Sequence, residues 1–123
     1  MITTVTTSTT PVVDLDDVNP GCHIDAVGAF KPTMQEVGSR LIIKARVVVD
    51  SLPACLEETG DLPVPVCNGE YERNEIFGEL GEIVTGEKQG RTDAGQITFF
   101  ESVVSLLKIW LRRVWGLSRC GYR

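Results

Sequence analysis

The chain has 123 residues, of which 42% are hydrophobic and 24% charged, with a formal net charge of -5. That is enough for one modest domain burying roughly two-thirds of its unfolded surface, and too acidic for a nucleic-acid binder built on a basic patch. Four scattered cysteines (Cys22, Cys55, Cys67, Cys120), with His23 the single histidine, exclude an obvious zinc or disulfide framework and fit reduced thiols in a cytoplasmic protein.

In chain order, the β-branched run 2–5 (ITTV) reads as a strand that stops at the hydroxyl-rich loop TTSTTP, 6–11. Residues 14–21 read as a turn or short helical piece closed by Pro20 and Gly21. A second strand, HIDAVG (23–28), ends on very small side chains. Val37, Leu41, Ile42 and Ala45 recur at helical spacing, which predicts a helix between 34 and 45. RVVVDS (46–51) is a continuous apolar run of the kind buried on both faces of a parallel sheet.

Pro53 to Gly60 carries proline at a first helical turn and glycine at a stop. Two prolines exclude LPVPV (62–66) from a sheet interior. Ile76, Leu80, Ile83 and Val84 predict one helix over 74–86, followed by a polar loop over 87–96. QITFF then leads into a last helix from about Glu101. Strands separated by crossovers of about twenty residues specify an α/β fold of about three parallel strands with flanking helices. Ligands of such sheets bind at the strand carboxyl ends. Here those ends are TTSTTP, GAFKP and DS, and the first two let a backbone approach a ligand closely. No GxGxxG is present; the nearest match, Gly78 to Gly81, falls inside the predicted helix.

Taken together, TTSTTPV (6–12), PGCHIDAVGAFKPTMQE (20–36), ARVVVDS (45–51), EETGDLPVPV (57–66), FGELGEIVTGEKQGR (77–91) and QITFFESV (96–103) resemble the C-terminal portion of the ornithine cyclodeaminase/mu-crystallin family, in its order and spacing. The resemblance implies the second half of a Rossmann-type NAD(P)-binding domain over 1–66. It also implies a helical return segment toward a substrate and dimerisation domain over 67–103. NAD or NADP is the implied cofactor, an amino acid or cyclic imine the implied small-molecule substrate, and a homodimer the implied assembly, with no nucleic acid or membrane partner. By the same resemblance Thr6 would contact the cofactor, Val27, Gly28 and Ala29 would line its nicotinamide side, Ser102 would touch it, and Val103 would touch the substrate.

Phe30 stands where ornithine cyclodeaminase carries a catalytic aspartate, and an apolar ring moves no proton. The departure points to ketimine reductase or alanine dehydrogenase chemistry rather than ornithine cyclisation. Without the dinucleotide fingerprint, and without the family's substrate-binding basic residues, this chain is not expected to catalyse alone. A non-catalytic fragment or a binding and scaffold protein is the alternative reading. His23 is read as structural, and the acids of 68–82 as a solvated face rather than a metal site.

Residues 104–123 hold five of the twelve Lys and Arg and no acid, which leaves -10 on residues 1–103. Val103, Leu106, Leu107, Trp110, Leu111 and Val114 form an apolar stripe, open to three readings: a core helix, a basic amphipathic segment, or an out-of-frame tail. KIWLRRV (108–114) can be encoded as AAG ATT TGG CTA CGG CGG GTT, a string that reads Asp-Leu-Ala-Thr-Ala-Gly in a shifted frame.

Overall fold

A computed structural model describes residues 1–103, so the basic tail and its three readings lie outside the described residues. The predicted parallel α/β sheet is present. It has five strands where the sequence predicts about three: β1 (Ile2–Thr4), β2 (His23–Ala26), β3 (Arg46–Val49), β4 (Gly78–Glu79) and β5 (Thr98–Glu101). Their spatial order is β1-β2-β5-β3-β4, with every pairing parallel.

Side chains alternate across the sheet with period two. Ile24, Ala26, Val47, Val49, Phe99 and Glu101 face the core and are at most 1% exposed. The five apolar ones share one buried cluster with Leu41 and Ile42 of α1 (Ser39–Lys44), Cys55 of α2 (Leu52–Glu58), and Leu62. Phe99 alone contributes about 2 kcal/mol by leaving water. The opposite face, with His23, Arg46, Val48, Thr98 and Phe100, is half-buried.

Three predicted elements differ from the structure. The helix predicted from Met34 begins only at Ser39, because Val37 bridges Val13 and the Glu36 carbonyl accepts Val12 N–H at 2.8 Å. The helix predicted over 74–86 breaks into a 3-10 turn (Arg73–Glu75), β4 and the short α4 (Leu80–Val84). Phe77 N–H is drawn to Val47 O at 2.9 Å, and this edge pairing to β3 outweighs helical spacing; Val84, expected on the buried stripe, is 78% exposed. Gly78 therefore lies in a strand, while Gly81 falls in the first turn of α4.

The third difference is the largest. Thr98–Glu101 inserts between β2 and β3 as the middle strand, and the helix predicted from about Glu101 lies almost wholly outside the described residues. Segment 67–103, expected as a helical return, thus supplies β4 and the sheet's centre. LPVPV stays out of the sheet, as its prolines require. Pro63–Cys67 forms α3 instead, with proline at its first turn, where a missing N–H is tolerated.

Candidate functional site

The ends of β1 and β2 meet at a single seam. Val27 N–H donates to Thr4 O at 3.1 Å, which continues the pairing one residue past β2. Beyond it the chain must let Gly28 pass against Thr6. A Cβ on Gly28 would fall inside contact distance of Thr6 N, Thr6 O and Glu36 Oε1. Close approach, not a special backbone angle, therefore demands glycine here. TTSTTP is an ordered turn: Ser8 N–H donates to Thr6 Oγ1 at 3.1 Å, and Ser8 Oγ donates to Thr10 O at 2.6 Å. Ser8 O in turn accepts Gln35 N–H at 3.0 Å, tying this turn to the segment that follows β2.

Val5, Thr6, Thr7, Val27, Gly28 and Phe30 line a groove of about 520 Å³ over the seam. Three of the five residues expected to contact the cofactor are thereby brought together, Thr6, Val27 and Gly28, with Phe30, at the position of the catalytic aspartate, beside them. Ala29 is buried beside them, outside the lining. Ser102 sits at the neighbouring strand ends, donating its N–H to Ala26 O at 3.0 Å and its hydroxyl to Asp50 Oδ2 at 3.1 Å. Val103 is buried in the core. Phe30 is 47% exposed, and the Lys31 ammonium lies 5.5 Å from its ring centroid, within cation–π range.

Beneath the groove lies a layer of acids that sequence reasoning did not single out. The buried Glu36 carboxylate accepts the Thr6 N–H, Gly28 N–H at 2.8 Å and the Thr4 hydroxyl at 3.0 Å. Asp61 Oδ1 accepts Glu36 N–H at 2.7 Å and Val37 N–H at 2.8 Å. Burial pushes the Asp61 carboxyl up to about 6; these two N–H donors oppose the rise and the Glu36 charge adds to it. Glu101, on the core side of β5, is raised well above the ordinary carboxylate range, first by burial and then by Asp61, Glu36 and Asp50. Among the described residues, its two oxygens and Asp61 Oδ2 have no hydrogen-bonded partner. The Cys55 thiol, buried against Glu101 and Asp50, is also pushed up, which keeps it an inert core thiol.

One signal for this layer was present in the sequence. In a TFFE strand with Phe99 inward, period two puts Glu101 inward as well. His23 is held at 2.7 Å from Thr98 Oγ1 near the opposite end of the sheet, away from this groove. Among the described residues, no group of three or more His, Cys, Asp or Glu side chains is arranged to hold a metal ion. No helix among them is long and apolar enough to cross a membrane.

The groove has the attributes of a dinucleotide berth: strand carboxyl ends, a backbone contact that only glycine permits, hydroxyls, and apolar walls. The sequence profile of the ornithine cyclodeaminase/mu-crystallin family matches residues 1–105. The chain is 49% identical over 104 residues to a Delta(1)-pyrroline-2-carboxylate reductase of Bacillus cereus, covering 84% of this chain and 32% of that protein. It is 35% identical over 102 residues to an alanine dehydrogenase of Archaeoglobus fulgidus, covering 83% of this chain and 31% of the relative.

Among solved structures, the Thermococcus litoralis Delta(1)-pyrroline-2-carboxylate reductase in complex with NADH and L-proline superposes with a TM-score of 0.79 at 38% identity, over 82% of this chain and 31% of that one. An archaeal alanine dehydrogenase dimer with bound NAD gives 0.78 at 30% identity, over 94% and 38%. These likenesses put the sheet in the Rossmann-type parallel α/β class. The chain spans about a third of the length of the curated relatives it matches.

Proposed function

Because the chain belongs to the ornithine cyclodeaminase/mu-crystallin family, we propose that it forms part of an NAD(P)-dependent ketimine reductase, acting on a small cyclic imine or amino acid. The observation that carries this reading is the Thr6–Gly28 seam, where two strand ends converge under one groove. When bound there, the nicotinamide would supply or accept a hydride at an imine or amino-acid carbon. The residues of this chain would hold the ring: Thr6 from the first loop, Val27 and Gly28 beneath it, with Ala29 and Ser102 fixing the adjoining backbone and Val103 the substrate side. Their role is to orient the two reactants and exclude water.

Phe30 supports the reductase branch over ornithine cyclisation, since a half-exposed ring can pack on a flat imine but exchanges no proton. Residues 1–66, with β4 and β5, would form one side of the cofactor domain. Free Cys22, Cys55 and Cys67 support a cytoplasmic setting, and the dimeric alanine dehydrogenase relative supports a homodimer.

A chimera tests the reading. Residues 1–103 replace the matching third of the Bacillus cereus reductase, and NADH oxidation is followed with Δ1-pyrroline-2-carboxylate. Turnover that disappears on Gly28→Val is expected; a folded chimera that binds no NADH refutes the cofactor assignment.

A further inference from the structure

Glu36 is fully buried below the groove, and three donors converge on its carboxylate from both strand ends. Such a donor set belongs to a carboxylate anion. Two of the donors, the N–H groups of Thr6 and Gly28, are those a strand-end loop would otherwise aim at a ligand phosphate. They are already engaged, and the charge that engages them repels a second anion. What the groove presents instead is apolar: Val5, Val27 and the Phe30 ring, with threonine hydroxyls at its edge.

We propose that Glu36 is a positioning residue which bars phosphate from the Thr6–Gly28 seam and favours the oxidised, positively charged pyridinium ring over the reduced, neutral one. This rests on the nicotinamide reading above. Asp61 supports the arrangement from behind by fixing the Glu36 and Val37 backbone, so the carboxylate is held rather than free to swing away. A fixed negative charge next to a groove stabilises a cation there and leaves a neutral ring unaffected. Between unit charges about 10 Å apart, at an effective dielectric of about 20, the effect is on the order of tenfold in affinity.

The test uses the 15N-labelled 123-residue chain and adds NADH, the N1-methylnicotinamide cation and AMP in separate titrations, following the Thr6, Val27 and Gly28 amides. NADH and the pyridinium cation are expected to shift these signals, and AMP to leave them in place. Shifts with NADH but equally strong shifts with AMP overturn the role of Glu36 while leaving the cofactor reading intact. No shift with NADH overturns both. Glu36→Gln should then weaken NAD+ relative to NADH by roughly tenfold, whereas Thr4→Val, which removes only the hydroxyl donor, should keep the wild-type ratio. An unchanged ratio in folded Glu36→Gln contradicts the proposal; if that variant does not fold, the three-probe comparison decides.

Discussion

The two ends of the sheet are secured by opposite chemistry. At the strand carboxyl ends the ties are acids taking backbone N–H groups: Glu36 holds Thr6 and Gly28, and Asp61 holds Glu36 and Val37. At the strand amino ends the ties are arginines giving to carbonyls. Arg46 donates to Gln89 O at 3.1 Å and Gly90 O at 2.5 Å; Arg91 donates to Gly21 O at 2.6 Å and Thr98 Oγ1 at 2.9 Å. The difference lies in where each tie sits. Buried carboxylates below the backbone leave the surface above them open as a groove. Long arginines reaching over the loop knit residues 87–96 onto the sheet from the surface side. The contrast lies in the ties themselves, since a groove of about 390 Å³, with His23, Arg46, Val48, Arg91 and Phe100 in its lining, opens at the arginine end as well.

The sharpest way to break this contrast is Gly28→Val. Its side chain would have to displace the Thr6 backbone, so overpacking should cost about 3 kcal/mol in urea denaturation and abolish NADH binding together. Retained stability with normal binding would remove the seam from the account.

The acid end should also respond to pH in a way the arginine end does not. Asp61, pushed up to about 6, and Glu101, also raised, hold protons more tightly folded than unfolded. Their contribution is therefore fully present below the ordinary carboxylate range. It declines as the pH rises from about 4 through about 6 and beyond, with roughly 3 kcal/mol attached to Asp61. Denaturant midpoints across that range should show the decline, and Asp61→Asn with Glu101→Gln should flatten it. A slope unchanged by both substitutions would contradict the buried-acid layer.

The smallest effect is expected at the arginine end. Arg91→Ala removes two hydrogen bonds near the surface and should cost about 1 kcal/mol, with NADH affinity unchanged. A binding loss as large as that of Gly28→Val would erase the distinction between the two ends.

Much of this architecture was legible because its signals are local. ITTV, HIDA and RVVV are β-branched or apolar runs with turn residues after them, and each is a strand. The small residues after β2 pointed to a close approach, and the structure locates it at Gly28. Long-range features hid the rest. Thr98–Glu101 is central only because β2 and β3 both pair with it, and no pattern within five residues reveals that. Gly78–Glu79 pairs with β3 through two residues, which helical spacing at Ile76, Leu80 and Ile83 concealed. Glu36 looks like any surface acid until the fold carries Thr4, Thr6, Gly28 and Asp61 to it from three separate segments.

The central claim, that the strand carboxyl ends form the berth for a pyridine coenzyme, is tested most directly by nuclear Overhauser contacts between bound NADH and the chain. Contacts from the nicotinamide ring protons to the Val27 methyls and the Phe30 ring are predicted. Contacts from that ring to His23, Val48 or Phe100 would place the coenzyme elsewhere on the sheet and contradict the account.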